Sequence, residues 1–322
     1  MRDPAARLAV VRPAVPLDLG GAVLVESWSN DAWLAGGSVL RVCWRGDRER
    51  LLREALILQS LPDSVPHAVM RAAGRTGELT WMVVDRIPGE RLDLAWPRLS
   101  AGQRRTAVTD VANMLRTLHE WVPPADVRNQ LQLASAVRPG TRDGIIGATI
   151  VPLPADRLAP LLDSIAGLEG LPADVADGVR QRAAQLLPAV PGRDFDGGVV
   201  THGDAHLANA WWHEGRVVAL LDLEWARMGP SDLELEAVCR DNPDIEAQIS
   251  SGPVPASAVL VLRWLRAAYP ALFERANLTE RLWLYQFCHQ IRQVCLSGSP
   301  SIDAQAVRRL RKLAAEPLVR FS

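Results

Sequence analysis

The chain has 322 residues and a formal net charge of -1, with 48% hydrophobic and 23% charged residues. These are the proportions of a globular protein of about two domains. They exclude the basic surplus that a nucleic-acid binder needs to neutralise phosphates, and no run of about 18 apolar residues offers a membrane span.

The first ninety residues predict strands and one helix. Ala22–Ser27 and Ala32–Ala35 are short apolar runs with Trp28-Ser29-Asn30-Asp31 as the turn between them, and Gly36-Gly37-Ser38 leads into Val39–Trp44. Closely spaced strands of this kind suggest an antiparallel meander. Asp47 is placed to cap a helix over Arg48–Leu61, where Leu51, Leu52, Ala55, Leu56 and Leu58 recur with a period near 3.6, and Pro62 ends it. Strands over Ala68–Ala73 and Leu79–Ile87 follow. Pro88-Gly89 is the first domain joint, dividing residues 1–87 from 88–322. Beyond it the pattern is mainly helical. Ser100 and Gln103 form a capping box that opens a helix to about Trp121, and helices are expected over 156–169 and 173–188. A strand set returns at Val199–Thr201, Ala210–Trp212 and Val217–Leu223, followed by helices near 232–240, 257–269, 278–296 and 303–315.

The chemistry is concentrated after residue 198. An apolar strand delivers His202-Gly203-Asp204 to its end, Asn209 comes five residues later, and a second apolar strand ends at Asp222-Leu223-Glu224. Phosphoryl transfer needs a carboxylate to take the proton of the attacking hydroxyl and oxygen ligands to hold magnesium against phosphates. Asp204 suits the first task. Asn209 and Asp222 suit the second, because a short loop brings the asparagine back beside the hairpin. Lys312 is the only lysine, so a fixed cation in such a site must be an arginine.

These segments resemble the aminoglycoside phosphotransferase and choline kinase group, small-molecule relatives of the protein kinases. His202, Asp204 and Asn209 fit the family's H-x-D-x-x-x-x-N loop, and Leu221, Asp222 and Glu224 fit its I-D-x-E strand. Gly229-Pro230-Ser231-Asp232-Leu233 resembles the glycine-led segment, ending in Asp-Leu, that opens the family's next helix. The resemblance implies an α+β, bilobal protein-kinase-like fold, with a small antiparallel-sheet N-lobe over a larger, mainly helical C-lobe. It also implies ATP and Mg2+ as cofactors and a small-molecule hydroxyl as acceptor. Asp204 would be the catalytic base, with Asn209 and Asp222 on the metal, Glu224 near it, and Asp232 bracing the catalytic loop. Arg41 and Glu54 sit where the family pairs a strand cation, often lysine, with a helix glutamate. The turn around Ser29 would cover the phosphates. Val83-Val84-Asp85-Arg86-Ile87 resembles the hinge, whose backbone near Asp85 and Ile87 would meet the adenine.

Plainer readings stand beside these. His202, His206 and His213 invite a zinc reading, against which H-x-x-x-H falls in a loop rather than on a helix face and no cysteine is close; His202 is read as bonding the loop backbone, His206 as a substrate contact or a solvated residue, and His119 as packing. The acids Asp232, Glu234, Glu236, Asp241, Asp244 and Glu246 read either as a pocket for a polycation or as the wet face of a helix. Trp211, Trp212 and Trp225 read as an aromatic wall or, for at least two of them, as core. Cys43, Cys239, Cys288 and Cys295 are scattered without a C-x-x-C, and the N-terminus lacks the apolar core of a signal peptide, so a cytoplasmic location is expected. A kinase-like nucleotide-binding module with weak or no catalysis is the alternative function.

Overall fold

A computed structural model describes residues 3–25, 27, 30–44, 48–133, 171–189, 198–240, 256–296 and 304–316. The helix expected over 156–169 and the capping residue Asp47 lie outside them. Strands β1 (Val23–Val25), β2 (Asp31–Ala35), β3 (Ser38–Cys43), β4 (Met70–Thr76) and β5 (Leu79–Asp85) form one antiparallel sheet in the order β1-β2-β3-β5-β4. Helix α1 (Pro4–Val11), which the sequence reading did not anticipate, precedes the sheet; Asp3 caps it through the Ala5 and Ala6 amides, with Pro4 in its first turn. Helix α2 (Arg50–Ser60) connects β3 to β4 and starts at Glu49, whose side chain makes no capping bond.

The outer face of the sheet and α1 share a core of Leu8, Val11, Leu40, Val42, Trp81 and Val83. Inside this apolar layer sits an ion pair. Arg7 donates to both Asp31 oxygens, at 2.6 and 2.8 Å, and its guanidinium stacks 4.2 Å over the Trp44 ring. Both side chains are buried, so α1 is fixed in place by charge as well as by apolar area.

Past β5 the chain leaves this sheet. Gly89 has a φ of +101°, and a Cβ there would come 2.3 Å from the Trp212 carbonyl oxygen. Only glycine lets β6 (Glu90–Arg91) pair this closely with β8 (Ala210–His213), which in turn pairs with β9 (Arg216–Leu220). Strand β7 (Val199–Thr201) pairs with β10 (Arg227–Gly229). Around these hairpins lie α3 (Leu92–Ala95), α4 (Ala101–Glu120), α5 (Ala125–Leu133), α6 (Ala173–Leu186), α7 (Glu234–Arg240), α8 (Ala256–Ala268), α9 (Leu278–Leu296) and α10 (Ala304–Ala315). The capping box of α4 forms as read: Ser100 accepts the Gln103 amide, and the Gln103 side chain accepts the Ser100 amide. Asp110 of α4 is buried and accepts the Val217 amide at 3.0 Å, which seats the helix on the β8–β9 hairpin.

The main core of this larger lobe joins α4, α8 and the hairpin; a second joins α6, α9 and α10 through Val179, Trp283, Phe287 and Leu310. A third spans both lobes. Leu51, Ala55 and Leu58 of α2 pack with Leu118, Val127, Leu131, Val200 and Leu223. The molecule is therefore α+β and bilobal, and α2 belongs to both lobes. No described helix is long and apolar enough to cross a membrane.

Breaking the α1 anchor tests this packing. Asp31→Ala strands a buried guanidinium, and urea unfolding should show a loss of about 3–5 kcal/mol. Replacing both partners with apolar residues, as in Arg7→Met with Asp31→Leu, should cost much less.

Candidate active site

The end of β7 carries His202-Gly203-Asp204 into a tight loop. Gly203 has a φ of +78°, and a Cβ there would approach the Trp225 carbonyl oxygen to 2.5 Å, so the middle position of the motif is confined to glycine. The His202 ring is fully buried and donates from Nε2 to the Leu221 carbonyl at 3.0 Å, which links the loop to the end of β9. Because that acceptor carries no proton, Nε2 is the protonated nitrogen. Burial pushes the His202 pKa down, consistent with a neutral structural imidazole.

Asp204 is partly exposed, at 17% of its side chain. Asn209 donates from Nδ2 to the Asp204 backbone oxygen at 2.9 Å and to its carboxylate at 3.3 Å. His206 is tied into the loop rather than freely solvated: its Nδ1 accepts the Ala208 amide at 3.3 Å, capping the 3-10 turn Leu207–Asn209, and its Nε2 lies 3.4 Å from the Asp204 carboxylate. The Leu221 amide donates to the Asn209 carbonyl at 2.8 Å, so Asn209 and Asp222 leave neighbouring positions of one hairpin. Asp222 then takes a left-handed conformation, φ 69° and ψ 57°. Such a residue costs roughly 1–2 kcal/mol for most side chains and least for Asp or Asn; here it turns the chain out of β9 and leaves the carboxylate 28% exposed.

Across from this turn stands Arg41 of β3. Its NH1 donates to both Glu54 oxygens, at 2.8 and 2.7 Å, and its NH2 donates to Asp222 at 2.5 Å and to Glu224 at 3.2 Å. Glu54, on α2, also accepts the Leu223 amide at 3.1 Å. Burial, with Asp222 and Glu224 nearby, pushes the Glu54 carboxyl up to about 8 even though Arg41 opposes the shift. Glu224 is raised for the same reasons. Oxygens of Glu54, Asp222 and Glu224 lie within 4.8 Å of one another, and among the described residues this is the group of acid, histidine and cysteine side chains able to share an ion. No histidine takes part.

The loop is braced by a different acid from the one read in the sequence. Asp232 is fully buried but points away, accepting Arg281 at 2.7 and 3.0 Å and the Tyr285 hydroxyl at 2.9 Å, which ties it to α9. Glu234 holds the loop, accepting the amides of His202 and of Gly203, the latter at 3.3 Å. The segment contains two acid–leucine pairs in succession, Asp232-Leu233 and Glu234-Leu235, and the second starts α7 beneath the loop. Burial alone would raise the Glu234 carboxyl, but His119 beside it, with His202, holds it below its ordinary value. His119 is thus more than packing: Nδ1 meets the Tyr269 hydroxyl at 2.9 Å and Nε2 lies 3.4 Å from Glu234.

Ser29 lies outside the described residues, as do Asp241, Asp244 and Glu246. Asp232, Glu234 and Glu236 are all buried, so they form neither a wet helix face nor an open pocket. Trp212 is core, whereas Trp211 and Trp225 are only partly buried. The Asp85 side chain is away from the cluster, paired with Arg71 at 2.7 and 2.5 Å. The Asp85 and Arg86 amides are already donated to the Val69 and Gly37 carbonyls, both at 2.9 Å. Ile87, partly buried against the shared core, is the first residue beyond them. Cys43 and Cys288 are buried. Two contributors were missed: Asn30, for which the sequence carries no signal, and Arg50, which lies one helical turn before Glu54 on the same face.

The model of the phosphotransferase enzyme family matches residues 22–284. No curated protein matches the sequence. Similar solved structures include the ADP-bound aminoglycoside phosphotransferase APH(2″)-Ib, with a TM-score of 0.62 at 14% identity over 98% of each chain. The gentamicin complex of APH(2″)-IIa has a TM-score of 0.62 at 14% identity, over 98% of this chain and 96% of that one. A thermostable mutant of APH(4)-Ia in ternary complex with ADP and hygromycin B gives 0.59 at 15% identity, over 96% and 98%. At such identities the likeness is one of fold, the bilobal protein-kinase-like fold. The family match spans most of the chain and includes every motif described above, and the chain belongs to the phosphotransferase enzyme family.

Proposed function

We propose that this phosphotransferase moves the γ-phosphoryl group of ATP, with Mg2+, to a hydroxyl of a small molecule such as an aminoglycoside-like antibiotic, an amino alcohol or a sugar. The observation that carries this reading is that Asn209, bonded to Asp204, and Asp222 stand at the two ends of one hairpin, with Leu221 bonded to Asn209 and to His202. Nucleotide and aminoglycoside occupy the same fold together in the APH(4)-Ia ternary complex, which supports a two-substrate site between the lobes.

The donor set suits a divalent cation. Glu54, Asp222 and Glu224 face Arg41 and Arg50, three carboxyl groups against two guanidiniums, and the raised Glu54 and Glu224 carboxyls mark a crowding of acids that a bound cation would relieve. Magnesium favours a few such oxygens and keeps several waters. Asp222 and Asn209 would hold it; the Asn209 nitrogen faces Asp204, which leaves its oxygen end for the cation. When bound, the ion supplies charge neutralisation at the phosphates. Asp204 accepts the proton of the attacking hydroxyl and orients it. Arg41, held by Glu54, turns NH2 from Asp222 to an inner phosphate, and Ile87 offers its backbone to the adenine edge. Positioning and fixed charge then account for most of the acceleration.

One observation favours the weaker alternative, a nucleotide-binding module without efficient transfer: Arg41 sits directly on Asp222 at 2.5 Å. The same contact fits a catalytic site that exchanges an internal cation for the metal on loading. Transfer of labelled phosphate from ATP to members of a hydroxyl-compound panel decides between them, since a module would bind nucleotide and release no phosphorylated product.

Asp204→Asn should lower turnover by roughly 10²–10⁴-fold with an unchanged melting temperature, as checked by product formation and calorimetry. Chelation of divalent ions should abolish turnover, and added Mg2+ or Mn2+ should restore it.

Glu234→Gln should cost about 10²-fold in kcat through loop displacement, with nucleotide KM little changed. The same variant should also flatten the acid limb of the stability curve. The Glu234 carboxyl lies below its ordinary value near 4.5 in the folded chain, so its contribution is present above that value and lost as pH falls through the lower folded one. Thermal unfolding from neutral to acid pH measures this.

A further inference from the structure

Glu224 is the acid of the site that the proposed mechanism leaves unused. Its side chain is 1% exposed, and two hydrogen-bond donors and a further guanidinium in ion-pair contact crowd a single oxygen, Oε2. Asn30 Nδ2 donates to it at 2.9 Å, Arg50 Nε lies at 3.1 Å and Arg41 NH2 at 3.2 Å. Arg50 also donates from NH2 to Asn30 Oδ1 at 3.1 Å, which closes a ring of three side chains. All three groups come from the small lobe: Asn30 from the residue before β2, Arg41 from β3 and Arg50 from the first turn of α2. The acceptor comes from the large lobe.

We propose that Glu224 is a positioning residue that latches the start of β2 and helix α2 onto the turn at Asp222, rather than a second ligand for the divalent ion. Two guanidiniums and an amide around one oxygen commit its negative charge and would repel a further cation at that position. The latch also has a mechanical consequence. Asp31, the first residue of β2, is held by Arg7, and Asn30, just before it, is held by Glu224 and Arg50. Arg50 lies one turn before Glu54 on α2, so fixing Arg50 fixes the carboxylate that aims Arg41. Glu224 therefore acts through Arg50 and Asn30 on the hold on nucleotide, not on proton transfer at Asp204. The other Glu224 oxygen, Oε1, has no hydrogen-bond partner and is the atom through which metal ligation would have to occur.

The inference rests on the reading of Asp222 and Asn209 as metal ligands, and the test separates the two. Mn2+ binding is followed by electron paramagnetic resonance with a non-hydrolysable ATP analogue present, alongside steady-state kinetics, for Glu224→Gln, Arg50→Gln and the double variant. Each single change should raise nucleotide KM roughly tenfold, as loss of one charge-assisted hydrogen bond allows, with kcat largely kept. The double variant should be no worse than the poorer single, and Mn2+ stoichiometry and affinity should match the unsubstituted enzyme. In the metal-free, nucleotide-free protein the α2 amides should exchange hydrogen faster in both single variants. A tenfold or greater loss of Mn2+ affinity in Glu224→Gln but not in Arg50→Gln, or additive effects on KM, would overturn the latch. Should Glu224→Gln fail to fold, Asn30→Ala removes the bridging amide while both charges stay paired, and an unchanged nucleotide KM there overturns it equally. Unaltered Mn2+ binding in Asp222→Asn would instead sink the underlying metal assignment.

Discussion

A carboxylate taken out of water must receive hydrogen bonds and opposite charge, and Glu54 draws these from both lobes. Arg41 supplies the charge from the small lobe at 2.7 and 2.8 Å, and the Leu223 amide supplies a donor from the large one at 3.1 Å. Arg41 reaches both carboxylate oxygens, and the amide adds a second donor to Oε1. If the lobes separated, Glu54 would lose the amide, and Asp222 would lose the guanidinium that offsets its charge. The relative placement of strand β3, helix α2 and the Asp222 turn thus follows from one desolvated acid.

Helix α2 translates that requirement into architecture. Its apolar side, Leu51, Ala55 and Leu58, enters a core shared with α4, α5 and β7. Arg50 and Glu54 face the polar cluster from the same helix, one turn apart. Apolar burial is non-directional and brings the lobes together; the ionic side fixes the register at which they meet. A similar division operates beneath the catalytic loop. Val200 anchors β7 in the shared core, while Glu234 captures the His202 and Gly203 amides and so sets where Asp204 stands.

Much of this was legible in the sequence, for physical reasons. The strand-end clusters at His202–Asp204 and Asp222–Glu224 stand out because polar residues interrupt apolar runs, and the Arg41–Glu54 pair follows from a strand-then-helix pattern. The bracing acid was not legible. Asp232-Leu233 and Glu234-Leu235 are equivalent as local patterns, and only the way 3-10 residues Ser231–Leu233 lead into α7 decides which carboxylate reaches the loop. Asn30 gave no signal because its partners are 20 and 194 residues away. Helix α1 was readable from Asp3-Pro4, a capping residue followed by proline, yet where it docks depends on Leu8 and Val11 meeting the sheet and on Arg7 meeting the distant Asp31. Glu234 and Glu236, read within a set of pocket or wet-face acids, are buried, since charge in a sequence says nothing of the groups that fold against it, such as His119 beside Glu234.

The arginine at position 41 gathers these points together. An ammonium is a compact point charge, whereas a guanidinium presents a rigid planar fork. Arg41 uses that fork in two directions, NH1 toward Glu54 and NH2 toward Asp222 and Glu224. One side chain thereby spans the helix acid that orients it and the turn acid proposed for the metal. A shorter-reaching lysine could hold Glu54 but would leave the Asp222–Glu224 end uncompensated while the site is empty. The surrounding arginine and amide, Arg50 and Asn30, are consistent with the same need, because they neutralise the one carboxylate that Arg41 reaches only at 3.2 Å. In a chain with a single lysine, a guanidinium-centred cluster lets Glu54 and Glu224 stay buried between two lobes beside a partly exposed Asp222.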